Sequence, residues 1–364
     1  MAIKNVKESL IRITLLVIGR KGLGRNWPWS MINTEGYSLP FEESLFTVEQ
    51  SVLFQILLPA WIMRIVPVHR LQRYWRARVS FLQHLDQMYM NKRTELEATQ
   101  TSALNGEDQA PTDLLGALVH SQLNSEQEAR LQGGDEKVAG LTKSEIIGNM
   151  CTAGHETSGH TLGFAVAYLA LYPEWQDEVR KEIMAACGAG EPAYKEMRNL
   201  PLTLAVCLET LRLRDIVSTV MRKAIVDIEV PYTTWDSTGI VTRRTHLVKK
   251  GSFFVIDSAA TSLNPHFWGS DSLEFNPRRH LETTPPYVSF SLGARQCLGK
   301  RFAEVEMTSF ISGIFYQYSI IPVKLHEQET WQEMKARMID SATEEISFTP
   351  GKFGVRLQSR LESE

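Results

Sequence analysis

Residues 290–299 read FSLGARQCLG and lead directly into the helix-like run KRFAEVEMTSF at 300–310. Cys297 lies between Gly293 and Gly299, two residues after Arg295 and just ahead of the expected helix. A thiolate there is stabilised by unpaired backbone N–H groups and the positive end of the helix dipole. Gly293 allows a turn with no Cβ penalty, and Gly299 allows a flat ligand to come close. Arg295 offers a forked donor for a carboxylate. Cys297 by itself would read as a small buried hydrophobe. The whole spaced string describes a thiolate beneath a flat acidic cofactor, as in a heme iron held by cysteine.

The rest of the chain permits this reading. Its 364 residues are 43% hydrophobic and 22% charged, enough to bury a large core. A net charge of −3 gives no reason to expect nucleic acid as a partner. The four cysteines form no C-x-x-C pair, which argues against a disulfide framework and a cysteine-rich zinc site. The apolar stretch 51–68, SVLFQILLPAWIMRIVPV, is interrupted by Gln55, Pro59, Arg64 and Pro67. It predicts a core or interfacial segment and not a membrane span. IRITLLVIG at 11–19 is followed by Arg20 and Lys21 where a signal peptide would need a small-residue cleavage site, so an amphipathic helix is expected.

Periodicity predicts helices over 4–19 and 69–98, and a short one over 114–123 between polar loops at 99–113 and 124–137. Thr142-Lys-Ser-Glu145 is a capping-box pattern opening a long helix to about Leu171. Pro173 and Pro201 suit the first positions of two further helices. Beyond Met221 the texture turns strand-like, at 222–230, 238–248, 251–260 and again in the tail at 346–350 and 354–358.

Three more segments stand out. Gly154, in AGHETS at 153–158, is a poor residue for a helix interior. It lies beside an acid and a hydroxyl, Glu156 and Thr157. Taken alone, this is a kink with a solvated glutamate. Glu209 and Arg212 share a helical face at i, i+3, surrounded by leucines. FNPRRHL at 275–281 offers Arg278 or Arg279 as a third member of that charge cluster.

In this order, AGHETS, ETLR, PRRH and FSLGARQCLG resemble the motifs of the cytochrome P450 superfamily of heme-thiolate monooxygenases. The resemblance implies a mainly α fold with small β-sheets, a P450 fold lacking its N-terminal part, similar to fungal microsomal members. One domain would span 1–364. Residues 1–140 would hold middle helices and loops, and 141–220 the distal and Glu-x-x-Arg helices. Residues 221–364 would hold the β-rich segment, heme loop, proximal helix and C-terminal strands. Cys297 would be the axial ligand of heme b. Arg222, Phe290, Gly293, Arg295 and Gly299 would bind the cofactor. Glu156 and Thr157 would deliver protons during oxygen activation. Ala153, Gly154, Val217, Ser218, Thr219 and Val220 would line the substrate pocket. Glu209, Arg212 and Arg279 would form a structural triad.

The implied reaction inserts one oxygen atom from O2 into a hydrophobic small molecule, in secondary metabolism. Electrons would come from NADPH through NADPH-cytochrome P450 reductase, facing Lys300 and Arg301. The implied location is the cytosolic face of the endoplasmic reticulum membrane, with peripheral contact through 51–68. The chain departs from the family pattern at Asp215-Ile216-Val217, where a proline pair is usual, and before residue 1, where the pattern has an anchor, a hinge and a Trp/Arg heme contact. A truncated paralogue or gene-model fragment that does not hold heme productively is the alternative.

Overall fold

The computed structural model describes residues 1–29, 36–102, 113–131, 154–188, 190–235, 238, 240–282, 287–344 and 347–360. They form many helices and a few small sheets, the class the sequence predicts. Two compact units are distinguishable. One holds 2–163 with 352–355; the other holds residue 1, 164–351 and 356–364.

In the unit of residues 2–163, α1 (Val6–Val17) starts at Asn5, whose side chain accepts the Glu8 amide. Val6, Leu10, Thr14 and Leu15 form its buried face. Helix α2 (Phe41–Gln50) packs against α5 (His69–Ser102). Phe41, Leu45 and Val48 are buried on one, Tyr74, Ala77, Phe81 and Leu85 on the other. The rings of Phe41 and Phe81 lie 5.8 Å apart. Between these helices, Pro59 and Pro67 break the 51–68 stretch into α3 (Val52–Leu57) and α4 (Ala60–Ile65). Leu57, Trp61 and Ile65 stand exposed there. No helix among the described residues is long and apolar enough to cross a membrane.

Two expectations fail here. Helix α5 continues to Ser102, and α6 runs from Leu114 to Leu131. The stretch 124–131 is polar but not loop-like: it contains good helix formers, Glu126, Gln127, Glu128, Ala129 and Arg130. It is also anchored, since Arg93 of α5 reaches both oxygens of Glu126, at 3.2 and 2.8 Å.

Helix α7 (His155–Leu171) is buried almost continuously from Ser158 onward. The capping box at 142–145 and the expected first half of this helix lie outside the described residues. In the second unit, α8 (Pro173–Cys187) and α9 (Pro201–Leu213) each begin with proline, as expected. Glu182 of α8 accepts the Leu202 and Thr203 amides at 2.7 and 2.8 Å. It caps α9 from another helix, a contact local sequence cannot reveal. Gly188 ends α8 at φ +60°. Helix α10 (Lys300–Gln317) packs on α8 and α9, burying Met307, Ile311 and Phe315.

The β-rich region holds two antiparallel pairs: β1 (Thr219–Lys223) with β4 (Phe253–Asp257), and β2 (Ile228–Trp235) with β3 (Val241–Val248). The strand expected over 222–230 is two strands, parted at 224–227, where the Asp227 carboxylate accepts the Lys250 amide at 2.8 Å. The strand expected over 251–260 stops at Asp257. That residue caps the short helix Ser258–Leu263 by accepting the Ala260 amide at 2.8 Å.

Candidate functional site

The segment 287–299 is shaped mainly by its own backbone. Ser291 donates its amide to Val288 at 2.7 Å, and Cys297 donates its amide to Phe290 at 2.8 Å, closing the loop. Gly293 (φ +69°) opens a single tight turn, Gly293–Arg295, and Gln296 donates back to Gly293 at 3.0 Å. Ser291 also has a left-handed backbone, φ 58°, which is uncommon for a side chain other than glycine. Its hydroxyl accepts from Arg222 Nη2 at 3.2 Å, which ties β1 to the loop. Helix α10 follows at once: Lys300 donates its amide to the Cys297 carbonyl at 3.3 Å. Cys297 is exposed and sits three residues ahead of the first helical residue. A Cβ at Gly299 would meet only the Cys297 sulfur, at an ordinary 3.9 Å. The chain therefore does not require glycine there for its own packing, whereas Gly293 is required by its backbone angle.

Polar and aromatic groups sit behind this loop. Burial pushes the Asp215 carboxyl up to about 6, against the Ser258 hydroxyl, the Val217 amide and the Ser289 hydroxyl. The Tyr287 phenol is also raised, chiefly by burial. The Tyr287 ring stands 5.7 Å from His280, edge-on, and 6.3 Å from Phe290. Val217 and Thr219 are exposed, Ser218 and Val220 half-buried. Ser258 fastens their backbone, donating to the carbonyls of Val217 and Ser218 at 3.0 and 2.9 Å.

The His280 side of this aromatic line ends in a saturated charge cluster. Arg212 clasps Glu209 with two bonds, Nε at 2.7 Å and Nη2 at 2.9 Å, and both side chains are fully buried. Arg279 Nε adds a bond at 3.0 Å, His280 Nε2 lies at 3.0 Å, and the Asn276 amide donates at 3.0 Å. The arginines' other N–H groups reach the carbonyls of Ser262, Ser272 and Trp268 and the Asp271 carboxylate. Burial pushes the Glu209 carboxyl up, but bonds from Arg212 and His280, with the Arg212 charge, win and hold it at about 2. Of the two arginine candidates, Arg279 joins the cluster. Arg278 turns outward to Glu178 at 2.9 Å.

The other motif lies at the start of α7. Gly154 immediately precedes the helix, and Ala153 lies outside the described residues. Glu156 and Thr157 are half-buried in its first turn, and the Thr157 carbonyl accepts the Thr161 hydroxyl at 2.8 Å. His155 is fully buried, its carbonyl accepting the Thr14 hydroxyl of α1 at 2.8 Å. Gly159 permits this approach: a Cβ there would lie 3.0 Å from the Ile11 Cα. His160 is buried too, and burial, then Lys7 and His155, lower its pKa to about 3.

The family model for cytochrome P450 matches residues 32–348. The chain belongs to the cytochrome P450 family. Membership implies a heme cofactor. Cytochrome P450 monooxygenase 124 of Postia placenta is 30% identical over 93% of this chain and 62% of its own length. Ganoderic acid synthetase CYP5150L8 of Ganoderma lucidum is 27% identical, over 86% of this chain and 62% of its own. The chain thus spans about three fifths of these relatives. Two solved P450 structures share the fold: CYP102L1, with a TM-score of 0.70, 19% identity and coverage of 99% of this chain and 72% of that one, and the P450DA heme domain, at 0.72, 18%, 99% and 69%.

The residues of the P450 signature fit the cofactor. An exposed thiol precedes a helix N-terminus, an exposed Arg295 lies in the same loop, and Arg222 is tied to that loop through Ser291. His280, Asn276 and Asp215 were missed from sequence. His280 follows directly on the matched arginine, a signal within reach. Asn276 acts through its backbone amide, and Asp215 through burial, and neither leaves a mark in a motif.

Proposed function

We propose that this P450 chain carries the heme-thiolate centre of a monooxygenase that inserts one oxygen atom from O2 into a hydrophobic small molecule. The observation that carries the reading is Cys297: exposed, three residues before α10, in a loop closed by its own amide on Phe290. Heme b, when bound, supplies an iron able to activate O2. Cys297 would hold the iron, its thiolate favoured by the amides and dipole at the start of α10. Arg295 and Arg222 would take the carboxylates of the cofactor, Phe290 and Gly293 would shape its seat, and Gly299 would leave room for its flat face. Glu156 and Thr157 would hold and move protons at the carboxyl and hydroxyl oxygens. Ala153, Gly154 and Val217, Ser218, Thr219 and Val220 would border the substrate. Glu209, Arg212 and Arg279 would fix the frame behind the loop without touching the reacting atoms.

Electrons would come from NADPH through a P450 reductase. Lys300 and Arg301 are the nearest basic pair in sequence to Cys297, each also facing Glu304. The resemblance to a ganoderic acid synthetase supports a role in fungal secondary metabolism. The exposed Leu57, Trp61 and Ile65 support peripheral contact with the endoplasmic reticulum membrane. The test is the reduced, CO-bound absorption spectrum of the heme-reconstituted chain. A thiolate Soret band is expected, lost in Cys297→Ala. A wild-type chain with no such band favours a product that does not hold heme productively.

A further inference from the structure

The β1–β4 pair engages one of its faces and leaves the other bare. Side chains alternate along β1: Val220 and Arg222 are half-buried, and Arg222 reaches Ser291 of the Cys297 loop at 3.2 Å. Thr219, Met221 and Lys223 alternate to the opposite face and are exposed. Their cross-strand neighbours are Asp257, Val255 and Phe253. The bare face therefore carries Thr219 and Asp257 at one end, Met221 and Val255 in the middle, and Lys223 and Phe253 at the other end. An antiparallel sheet with one solvated face ordinarily places polar groups there. Here Met221 is 71% exposed, Val255 57% and Phe253 69%. Ile225 and Val226, just past Lys223, are also more than half exposed. Neither strand pairs with a third among the described residues. Two strands alone are marginally stable in water, so an apolar outer face calls for a partner.

Charge decides which partner fits. Lys223 lies at one end of the face, its Nζ 5.4 Å from the Phe253 ring centroid. Asp257 lies at the other end, held in place where its Oδ1 accepts the Ala260 amide at 2.8 Å. A surface with a cation at one end, an acid at the other and an apolar middle is complementary to itself. Take a two-fold axis that lies in the face and runs across the strands. It sets Met221 on Met221 and Val255 on Val255, and brings Lys223 of each copy toward Asp257 of the other. An anionic lipid surface would be repelled by Asp257 at the rim, so the face suits a second copy better than a membrane.

We propose that the bare face of the β1–β4 pair docks a second copy of this chain, forming a two-fold dimer by face-to-face sheet packing. Met221, Val255 and Phe253 form the apolar centre, and Lys223 and Asp257 set the register. Packed sheets lie about 10 Å apart, a gap that side chains as long as Met221 and Lys223 can fill from both copies. The patch is smaller than the roughly 800 Å² per partner of a standard interface, so the dimer is reversible and follows concentration. Arg222 and its bond to the Cys297 loop lie on the opposite face, so docking leaves that loop uncovered.

The test is sedimentation velocity of the full chain from about 1 to 200 μM, a range that brackets a micromolar dissociation constant. The wild type should pass from monomer to dimer and no further. Met221→Glu buries an unpaired charge at the centre of the interface and should weaken the dimer at least about tenfold. Lys223→Glu sets like charges against Asp257 and should weaken it less, with the deficit shrinking at high salt. Both side chains are exposed, so neither substitution disturbs the core. Hydrogen exchange at the two ends of the concentration range should show added protection at 219–223 and 253–257. A chain that stays monomeric, one that grows beyond a dimer, or a dimer unchanged in Met221→Glu overturns the proposal. So does added protection confined to other segments. A monomer that instead sediments with phosphatidylcholine–phosphatidylserine vesicles, and loses them in Met221→Glu, assigns the face to a lipid surface and overturns it as well.

Discussion

Glu209 and Glu49 are the same residue type, both buried, and their partners drive them to opposite charge states. Glu209 is met by Arg212, Arg279, His280 and a backbone amide, and stays ionised down to about pH 2. Glu49 is met by an imidazole at 3.7 Å and a second carboxylate nearby, and keeps its proton to about pH 9. Burial raises both; only a sufficient set of donors reverses the sign. The first glutamate belongs to the frame that backs the Cys297 loop. The second lies beside residues proposed to move protons.

The largest effect expected from breaking this contrast is at Glu209. Glu209→Gln leaves two buried guanidinium groups without their shared anion. A loss of about 3–5 kcal/mol is expected, read by urea denaturation at neutral pH. A loss below about 1 kcal/mol would mean the cluster relaxes without it.

Acid should work on the same group. Its folded pKa of about 2 lies below the unfolded value of 4.5, so its stabilisation is present above 4.5 and lost as pH falls toward 2. The contribution is on the order of 3 kcal/mol. His160, lowered to about 3 by burial, adds a loss in the same direction below the ordinary histidine value of 6.5. Denaturation midpoints taken stepwise through this range should fall steeply, and Glu209→Gln should flatten the lower part.

Glu49 should show the reverse slope. Its folded pKa lies above the unfolded one, so stability declines as pH rises from 4.5 toward 9. Thermal midpoints of Glu49→Gln should gain on the wild type across that window. Parallel curves would contradict a protonated Glu49.

A smaller change sharpens the frame around α7. Thr14→Val removes the bond to the His155 carbonyl and should cost about 1–2 kcal/mol, measured by denaturation. Smallest of all, loss of the exposed Lys249–Asp227 pair in Lys249→Met should leave the denaturation midpoint where it is in the wild type.

The contrast also marks what the sequence could convey. Cys297 before a helix, the i, i+3 spacing of Glu209 and Arg212, and proline at the heads of α8 and α9 are local patterns, and each is legible. Legibility stops where a group's partner is far away in the chain. Glu182 caps α9 from twenty residues upstream, and Glu49 meets His155 from another helix. The end of α6 was hidden for the same reason: its polar residues look like a loop until Arg93 is seen across from Glu126. Strand breaks at 224–227 and after Asp257 depend on side chains bonding the backbone, which β-propensity does not register.

The most direct measurement of the central claim is the electron paramagnetic resonance spectrum of the ferric, heme-reconstituted chain. Cys207→Ala and Cys297→Ala are the comparison. Cys207 is fully buried and its thiol is pushed up to about 12, so it is no ligand candidate. The account predicts a low-spin thiolate signal in the wild type and in Cys207→Ala, and its loss in Cys297→Ala. A thiolate signal that survives in Cys297→Ala, or is never formed in the wild type, would contradict it.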